Sequence, residues 1–458
     1  MLWLKESLHR LAAIVLAATV AFTGSFSAQA QSSGSSLIRD AEIEGLMRLY
    51  TRPVFRAAGI NPASVRVYLI NNARINAFVS GGQRIFVHTG LLMQAKTPNE
   101  VIGVLAHESG HIAGGHLARM GIELERASVT AIIGMLVGMA ALAGGVMAGE
   151  ESAARAGSGV MMGTQGLAQR NFFAYQRSME ASADQAALKY LSATGQSARG
   201  MIRLFEKLAQ ESIATIQNAD PYVFSHPMPF ERIRNLEQAA KKSKFFDARD
   251  APELMLRHQL MQAKLSGFIE SPGMVMQRYP SADQSLPARY ARAIALFRRG
   301  DIGNALPVID GLTGELPQNP YFWELKGQAL LENGRASEAV APLQRAVKLL
   351  PNNGLIQLLL AQALIGTEEK SNAQLALKML RQAQKTESDT PGLYKTMARA
   401  YGQTGEIAKA ELATAEAALL QGDKELAMGK AKSAQGRFKK GTPEWTRAND
   451  ILTFASRD

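Results

Sequence analysis

Hydrophobic and polar positions follow two different periods along this chain. From residue 37 to about 58, apolar residues recur every three or four places, which predicts an amphipathic helix. In "SVRVYLINNARINAFVSGGQRIFVHTGLL" the period shortens to two. Val65, Val67 and Leu69 alternate with Arg66, Tyr68 and Ile70, which predicts a strand. Residues 76–79 read as a second short strand, Gly81-Gly82 as a turn, and residues 84–88 as a third strand. A largely apolar helix is predicted over 98–119. The stretch 127–149, "ASVTAIIGMLVGMAALAGGVMAG", then carries no charge over 23 residues. That is long enough to cross a bilayer, yet its Gly, Ala and Met content keeps it only moderately hydrophobic. Three placements stay open for it: a membrane span, a loop or hairpin over the site or against a membrane face, and a plain buried helix.

From about residue 285 the texture becomes paired amphipathic helices. "GDIGNALPVIDGLTGELP" begins at Gly300 and "GRASEAVAPLQRAVKLLP" at Gly334, 34 residues later; "GEIAKAELATAEAALLQGD" begins at Gly405, after a further 71. The longer interval leaves room for one extended unit containing "NAQLALKMLRQAQ". A 34-residue helix–turn–helix period resembles the tetratricopeptide repeat. Ala305, Ala339, Ala346 and Ala410 let neighbouring helices approach, and Pro317 and Pro351 close the second helix of a unit. Such pairs bury their apolar faces only by stacking, which predicts an α-solenoid.

Composition adds location and excludes some chemistry. The first residues are basic, an apolar run extends from Leu11 to about Phe22, and Ala28-Gln29-Ala30 follows as a small-x-small site. This predicts a secretory signal over 1–30, cut before Gln31, and hence a periplasmic location in a bacterium. The net charge is +11; Lys5 and Arg10 against Glu6 supply +1 of it, leaving +10 after cleavage. Such a charge favours acidic partners or an anionic membrane surface. No basic block is interleaved with aromatics, so nucleic acid is not an expected partner. There are no cysteines, which excludes disulfides, thiol catalysis and zinc–cysteine sites.

The candidate chemistry lies in "GVLAHESGHIAGGHLARM", which holds three of the seven histidines. His107-Glu108-Ser109-Gly110-His111 is an HExxH pattern. Positions four apart share one helix face, so both imidazoles reach one ion, expected to be a single zinc, and Glu108 is placed as general base beside a polarised water. A catalytic zinc takes a third protein ligand. His116 is one place short of the metzincin position, and a continuing helix would turn it about 140° from His111. It therefore reads as a surface histidine or as a partner behind a ligand. Downstream, Glu180 and Asp184 in "YQRSMEASADQAALKYL" are four apart on one face. Spacing alone leaves them either as a ligand with an orienting carboxylate, Asp184 accepting a ring N–H from His107 or His111, or as an ordinary solvated pair.

"VLAHESGHIAGGH", "SMEASADQAAL", "SHPMPFERI" and the upstream "NAFVSGGQRIFVHTGLL" occur in the order found in the HtpX/Oma/CAAX-protease group of zinc metallopeptidases, which residues 37–240 resemble. The resemblance implies Glu180 as third ligand. With a signal and C-terminal repeats the chain resembles the BepA-type branch, periplasmic proteases of outer-membrane protein assembly, which implies misassembled outer-membrane proteins as substrates and assembly machinery docked on the repeats. It also implies that His226 acts as a switch. Two readings of His226 stay open: a donor to the developing oxyanion, or a fourth zinc ligand that keeps the enzyme latent. Arg232 is expected to pair with a site carboxylate or steady the intermediate. Asn76, Ala77 and Phe78 read either as a core strand or as an edge strand that an extended substrate could join by main-chain hydrogen bonds. His88 and His258 read as structural.

The expectation is therefore a mainly α protein. A helical HExxH metalloprotease domain with a small β-sheet (31–270) precedes an α-solenoid of tetratricopeptide repeats (285–458), with peripheral membrane contact as a further expectation. Two rivals stand beside it: an integral membrane protease anchored by 127–149, and a chaperone-like adaptor working through its repeats.

Overall fold

The computed structural model describes residues 37–81, 83–123, 125, 126, 128, 137, 151–214, 226 and 229–456. The predicted signal and nearly all of 127–149 lie outside the described residues. Among those described, no helix is long and apolar enough to cross a membrane.

Four strands form one sheet: β1 (Leu37–Ile38), β2 (Arg66–Ile70), β3 (Ala77–Ser80) and β4 (Arg84–His88), in the order β1-β2-β4-β3. β2 and β4 are parallel, with Leu69 opposite Val87, while β3 runs antiparallel to β4. The alternation read from the sequence sorts the faces. Leu69, Ala77, Ile85 and Val87 are buried against helices. On the other face Tyr68, Phe86 and Phe78 stack across three strands with centroids 5.2 Å apart, half-buried. The helix predicted from residue 37 is corrected at its start. Leu37 and Ile38 pair with Ile70 and Leu69, and α1 (Ala41–Ala57) begins only after Asp40, whose side chain accepts the Ile43 N–H at 2.8 Å.

The sheet's apolar face shares one core with α1, α2 (Thr89–Gln94), α3 (Pro98–Ala113), α4 (Glu151–Ala193), α5 (Arg199–Ala214), α6 (Phe230–Ala240) and α7 (Pro252–Ile269). The helix predicted to reach residue 119 ends at Ala113, because Gly115 takes a positive φ of 60° that an α-helix cannot continue through. His258 is structural, as read: its Nε2 donates to the Ala95 carbonyl at 2.9 Å, and Tyr50 donates to its Nδ1 at 3.1 Å.

α7 also faces the repeats. Leu260 and Ala263 join a second core with α8 (Pro272–Arg278), α9 (Leu286–Arg298), α10 (Ile302–Glu315) and α11 (Pro320–Glu332). Beyond them come α12 (Ala336–Leu349), α13 (Gly354–Gly366), α14 (Lys370–Glu387), α15 (Pro391–Thr404), α16 (Ile407–Leu420), α17 (Lys424–Gln435) and α18 (Pro443–Ala455). Gly300, Gly334 and Gly405 turn the α9/α10, α11/α12 and α15/α16 pairs with φ of 83°, 75° and 86°. The α13/α14 pair turns instead through Glu368 at φ 60°, which accounts for the glycine missing from the 71-residue interval.

Candidate metal centre

α3 is buried over most of its length, lying between α1, α4, α5 and β3. That explains an apolar composition with no polar face, and it places His107 and Glu108 at 0% and 1% exposure. α4 crosses α3 at Gly110. A β-carbon there would lie 2.9 Å from the Ala183 carbonyl oxygen and 3.2 Å from the Ala186 methyl, so only glycine allows this approach. Glu180, one turn before that contact on α4, and Asp184, within it, point at the histidines.

Four side chains converge. His107 Nε2 and His111 Nε2 are 3.1 Å apart. Glu180 Oε2 is 3.3 Å from the first and Oε1 is 3.3 Å from the second. His226 Nδ1 lies 3.0 and 3.1 Å from the two Glu180 oxygens and 3.4 Å from His107 Nε2. One ligand atom from each of the four falls within 4.8 Å of every other, and all four residues are buried. Nitrogen and oxygen ligands at ordinary zinc distances in a tetrahedron sit roughly 3.3–3.6 Å from one another. The cluster's donor atoms stand 3.0–3.4 Å apart, at or slightly inside that spacing, and offer three imidazoles and a carboxylate, so these residues fit a divalent metal ion.

The partners behind the cluster are equally specific. Asp184 Oδ1 is 3.0 Å from His107 Nδ1. Arg232 donates from Nε and Nη2 to Asp184 at 2.6 and 2.8 Å, and its Nη1 is 3.0 Å from Glu180 Oε2. The ring of Phe205 lies edge-on to His107 with centroids 5.7 Å apart, and the Arg232 guanidinium sits 5.6 Å from the same ring. Glu108 Oε1 is 3.7 Å from His226 Nε2. A cavity of about 230 Å³ adjoins Glu180 and Arg232, lined also by Arg177, Pro229 and Leu236.

Electrostatics follow from the crowding. Burial opposes charge on His107, but Asp184 and Glu180 outweigh it and push the pKa up to about 9. Burial, reinforced by the neighbouring His107, pushes His111 down to about 2. Burial alone would raise Glu180 and Asp184. Hydrogen bonds from His107 and His226 hold Glu180 low instead, and those from Arg232 and His107 hold Asp184 low. The pocket is built for positive charge between its imidazoles and carboxylates.

The structure therefore brings His107, Glu108, His111, Glu180, Asp184, His226 and Arg232 together. Asn76, Ala77 and Phe78 are set apart from that group but lie at its flank: β3 is an outer strand of the sheet, paired only with β4 among the described residues and packed on α3. Asn76 and Ala77 are buried, and Phe78 belongs to the aromatic row. One neighbour escaped the sequence reading: Phe205 had no signal at all. Of the two readings of His116, the structure agrees with the partner behind a ligand rather than the surface histidine: it is buried, with Nδ1 3.0 Å from His111 Nδ1, and the Gly114-Gly115 pair beside it permits that placement.

Comparison with known proteins agrees with this geometry. Residues 10–240 match the sequence model of peptidase family M48, and residues 290–354 match that of the tetratricopeptide repeat. The beta-barrel assembly-enhancing protease of Yersinia pestis is 24% identical over 431 residues, covering 93% of this chain and 85% of the relative. The protein of the same name from Escherichia coli (strain K12) is 24% identical over 384 residues, covering 83% and 76%. Metalloprotease LoiP of Escherichia coli (strain K12) is 32% identical over 178 residues, 38% of this chain and 63% of the relative. The first match runs through every residue of the cluster, from His107 to Arg232, and spans half of the sequence. The chain belongs to peptidase family M48, as a metallopeptidase followed by tetratricopeptide repeats.

Proposed function

We propose that this protein is a zinc-dependent endopeptidase of the bacterial periplasm that acts in the quality control and assembly of outer-membrane proteins, and that it is latent while His226 stays in the cluster. The convergence of His107 Nε2, His111 Nε2, a Glu180 oxygen and His226 Nδ1 on one point carries the reading. Zinc, when bound, supplies Lewis acidity to the scissile carbonyl and acidifies water at the site.

The chain's own residues supply the rest. His107, His111 and Glu180 hold the ion. Glu108, buried beside them, takes the proton of the attacking water and passes it to the leaving amine. Asp184, with Oδ1 3.0 Å from His107 Nδ1, is placed to orient that ring with Nε2 toward the ion. Arg232 neutralises Glu180 and Asp184, which would otherwise repel each other one helical turn apart. A fourth protein ligand closes a site that catalysis needs open, so His226 has to leave before substrate enters. An extended chain can then add to the outer edge of β3 through main-chain bonds that tolerate any sequence, which suits unfolded clients. The names of the Yersinia and Escherichia relatives support the outer-membrane assignment. In this reading the repeats dock assembly machinery, with peripheral membrane contact beside it.

The test is zinc content together with cleavage of unfolded casein by wild type, Glu108→Gln and His226→Ala. Glu108→Gln is expected to keep its zinc and to lose about 10²–10⁴-fold in rate. His226→Ala is expected to cleave faster, itself included. Full activity of Glu108→Gln would remove the general base. A slower His226→Ala would point to oxyanion stabilisation instead of latency.

A further inference from the structure

The two HExxH histidines each have a ring nitrogen facing away from the cluster, and each of those nitrogens is met by a different kind of group. His107 Nδ1 faces the Asp184 carboxylate at 3.0 Å. His111 Nδ1 faces His116 Nδ1 at 3.0 Å, with the rings nearly perpendicular at 84° and their centroids 5.0 Å apart. His116 is only 5% exposed although it follows the end of α3.

The chain makes a specific detour to put it there. Gly114 still has helical angles, φ −74° and ψ −11°, and Gly115 then turns to φ 60°. Without that turn His116 would point about 140° away from His111. The ring folds back over Gly114 itself: a β-carbon at 114 would lie 2.2 Å from His116 Nε2 and 2.6 Å from Cδ2. The paired glycines thus do two jobs. One breaks the helix and the other leaves room for the imidazole.

We propose that His116 is a positioning residue of the metal centre, holding His111 through an N–H···N bond. His111 turns Nε2 toward the cluster, so its ring proton is on Nδ1. His116 Nδ1 accepts that proton's hydrogen bond and keeps its own on Nε2. The bond fixes both the tautomer and the rotation of His111, as Asp184 does for His107. His111 is thereby backed by a neutral acceptor and His107 by an anion, so the two ligands differ in basicity. The inference rests on the metal reading of the cluster.

Zinc affinity of the full chain, measured by competition with a chromogenic chelator, tests it, with the Co2+ absorption spectrum as a second readout. His116→Ala and Gly114→Ala are each expected to weaken zinc binding about 10–100-fold and to alter the Co2+ bands. His116→Asn, whose Oδ1 occupies the place of Nδ1, is expected to recover most of the affinity and the wild-type bands. Wild-type affinity in His116→Ala, with zinc lost from His111→Ala, would overturn the proposal and leave the metal site intact. Equal weakening in the Asn and Ala variants would also overturn it, because it would mark a packing role. Unchanged binding in His111→Ala would defeat the metal reading itself. Should the alanine variant at 116 not fold, His116→Asn and Gly114→Ala still decide the question.

Discussion

Arg232 carries more of the site than its place in a surface-facing helix suggests. Its planar guanidinium spans two carboxylates at once, taking Asp184 at 2.6 and 2.8 Å and Glu180 at 3.0 Å, with its side chain 11% exposed. Removing it strands two buried anions one helical turn apart. Breaking a buried ion pair by deleting one partner typically costs about 3–5 kcal/mol. Arg232→Ala is therefore expected to lower the unfolding free energy by about 3 kcal/mol or more, read in urea denaturation. Arg232→Lys keeps the charge but not the fork, so it should recover part of the stability while zinc affinity stays weakened, because Asp184 is then free to rotate away from His107. A lysine variant with wild-type zinc affinity would show that charge alone suffices.

Two helices some seventy residues apart in sequence meet because one glycine sits at their crossing. Gly110→Ala gains helix propensity worth about 1 kcal/mol. It also sets a methyl 2.9 Å from the Ala183 carbonyl oxygen and 3.0 Å from its α-carbon, and backbone atoms cannot swing aside. The clash is expected to win, with a net loss of about 1–3 kcal/mol in urea unfolding and weaker zinc binding as Glu180 moves from His107 and His111. A more stable variant with full zinc content would show that the helices have slack. This crossing also marks how far the sequence could be read. The period-2 alternation found β2, β3 and β4, and HExxH placed two candidate ligands on one face, because both patterns are local. β1 was missed because two residues, Leu37 and Ile38, make no period. The break at Gly114-Gly115 was read through because the apolar pattern continues past it. Glu180 and His226 came from family resemblance, since no spacing rule reports which distant helix or loop a buried imidazole will meet.

At the scale of the whole molecule the repeats fold back onto the peptidase half. Arg39, beside β1, pairs with Glu387 at 2.6 Å and donates to Thr390 at 2.9 Å, and Arg66 in β2 pairs with Asp389 at 2.6 Å. Deeper in the same contact, Lys264 of α7 lies 2.8 Å from Asp40, 3.5 Å from Glu42 and 3.4 Å from Glu324 of α11. Tyr290 donates to Glu42 at 2.9 Å, and the Tyr321 ring faces the Lys264 ammonium at 5.7 Å. Three carboxylates thus share one ammonium in a buried junction between α1, α7, α9 and α11. Burial raises Glu324 to about 7 despite Lys264, and burial raises Glu42 in the same direction. Between about 4.5 and 7 the folded protein therefore holds a proton that the unfolded chain has released. The contribution of Glu324 to stability falls as pH rises through that window, opposite in sign to that of the salt-bridged carboxylates Glu180 and Asp184. Glu324→Gln keeps a neutral hydrogen-bonding side chain at every pH. Its thermal midpoint is expected to decline less than that of the wild type between pH 5 and pH 7.5, with a residual slope left by Glu42. Parallel curves for the two proteins would mean that Glu324 is ionised throughout. The junction would then be a fixed ion cluster, and loosening of the repeats from the peptidase half would have no dependence on proton concentration through this residue.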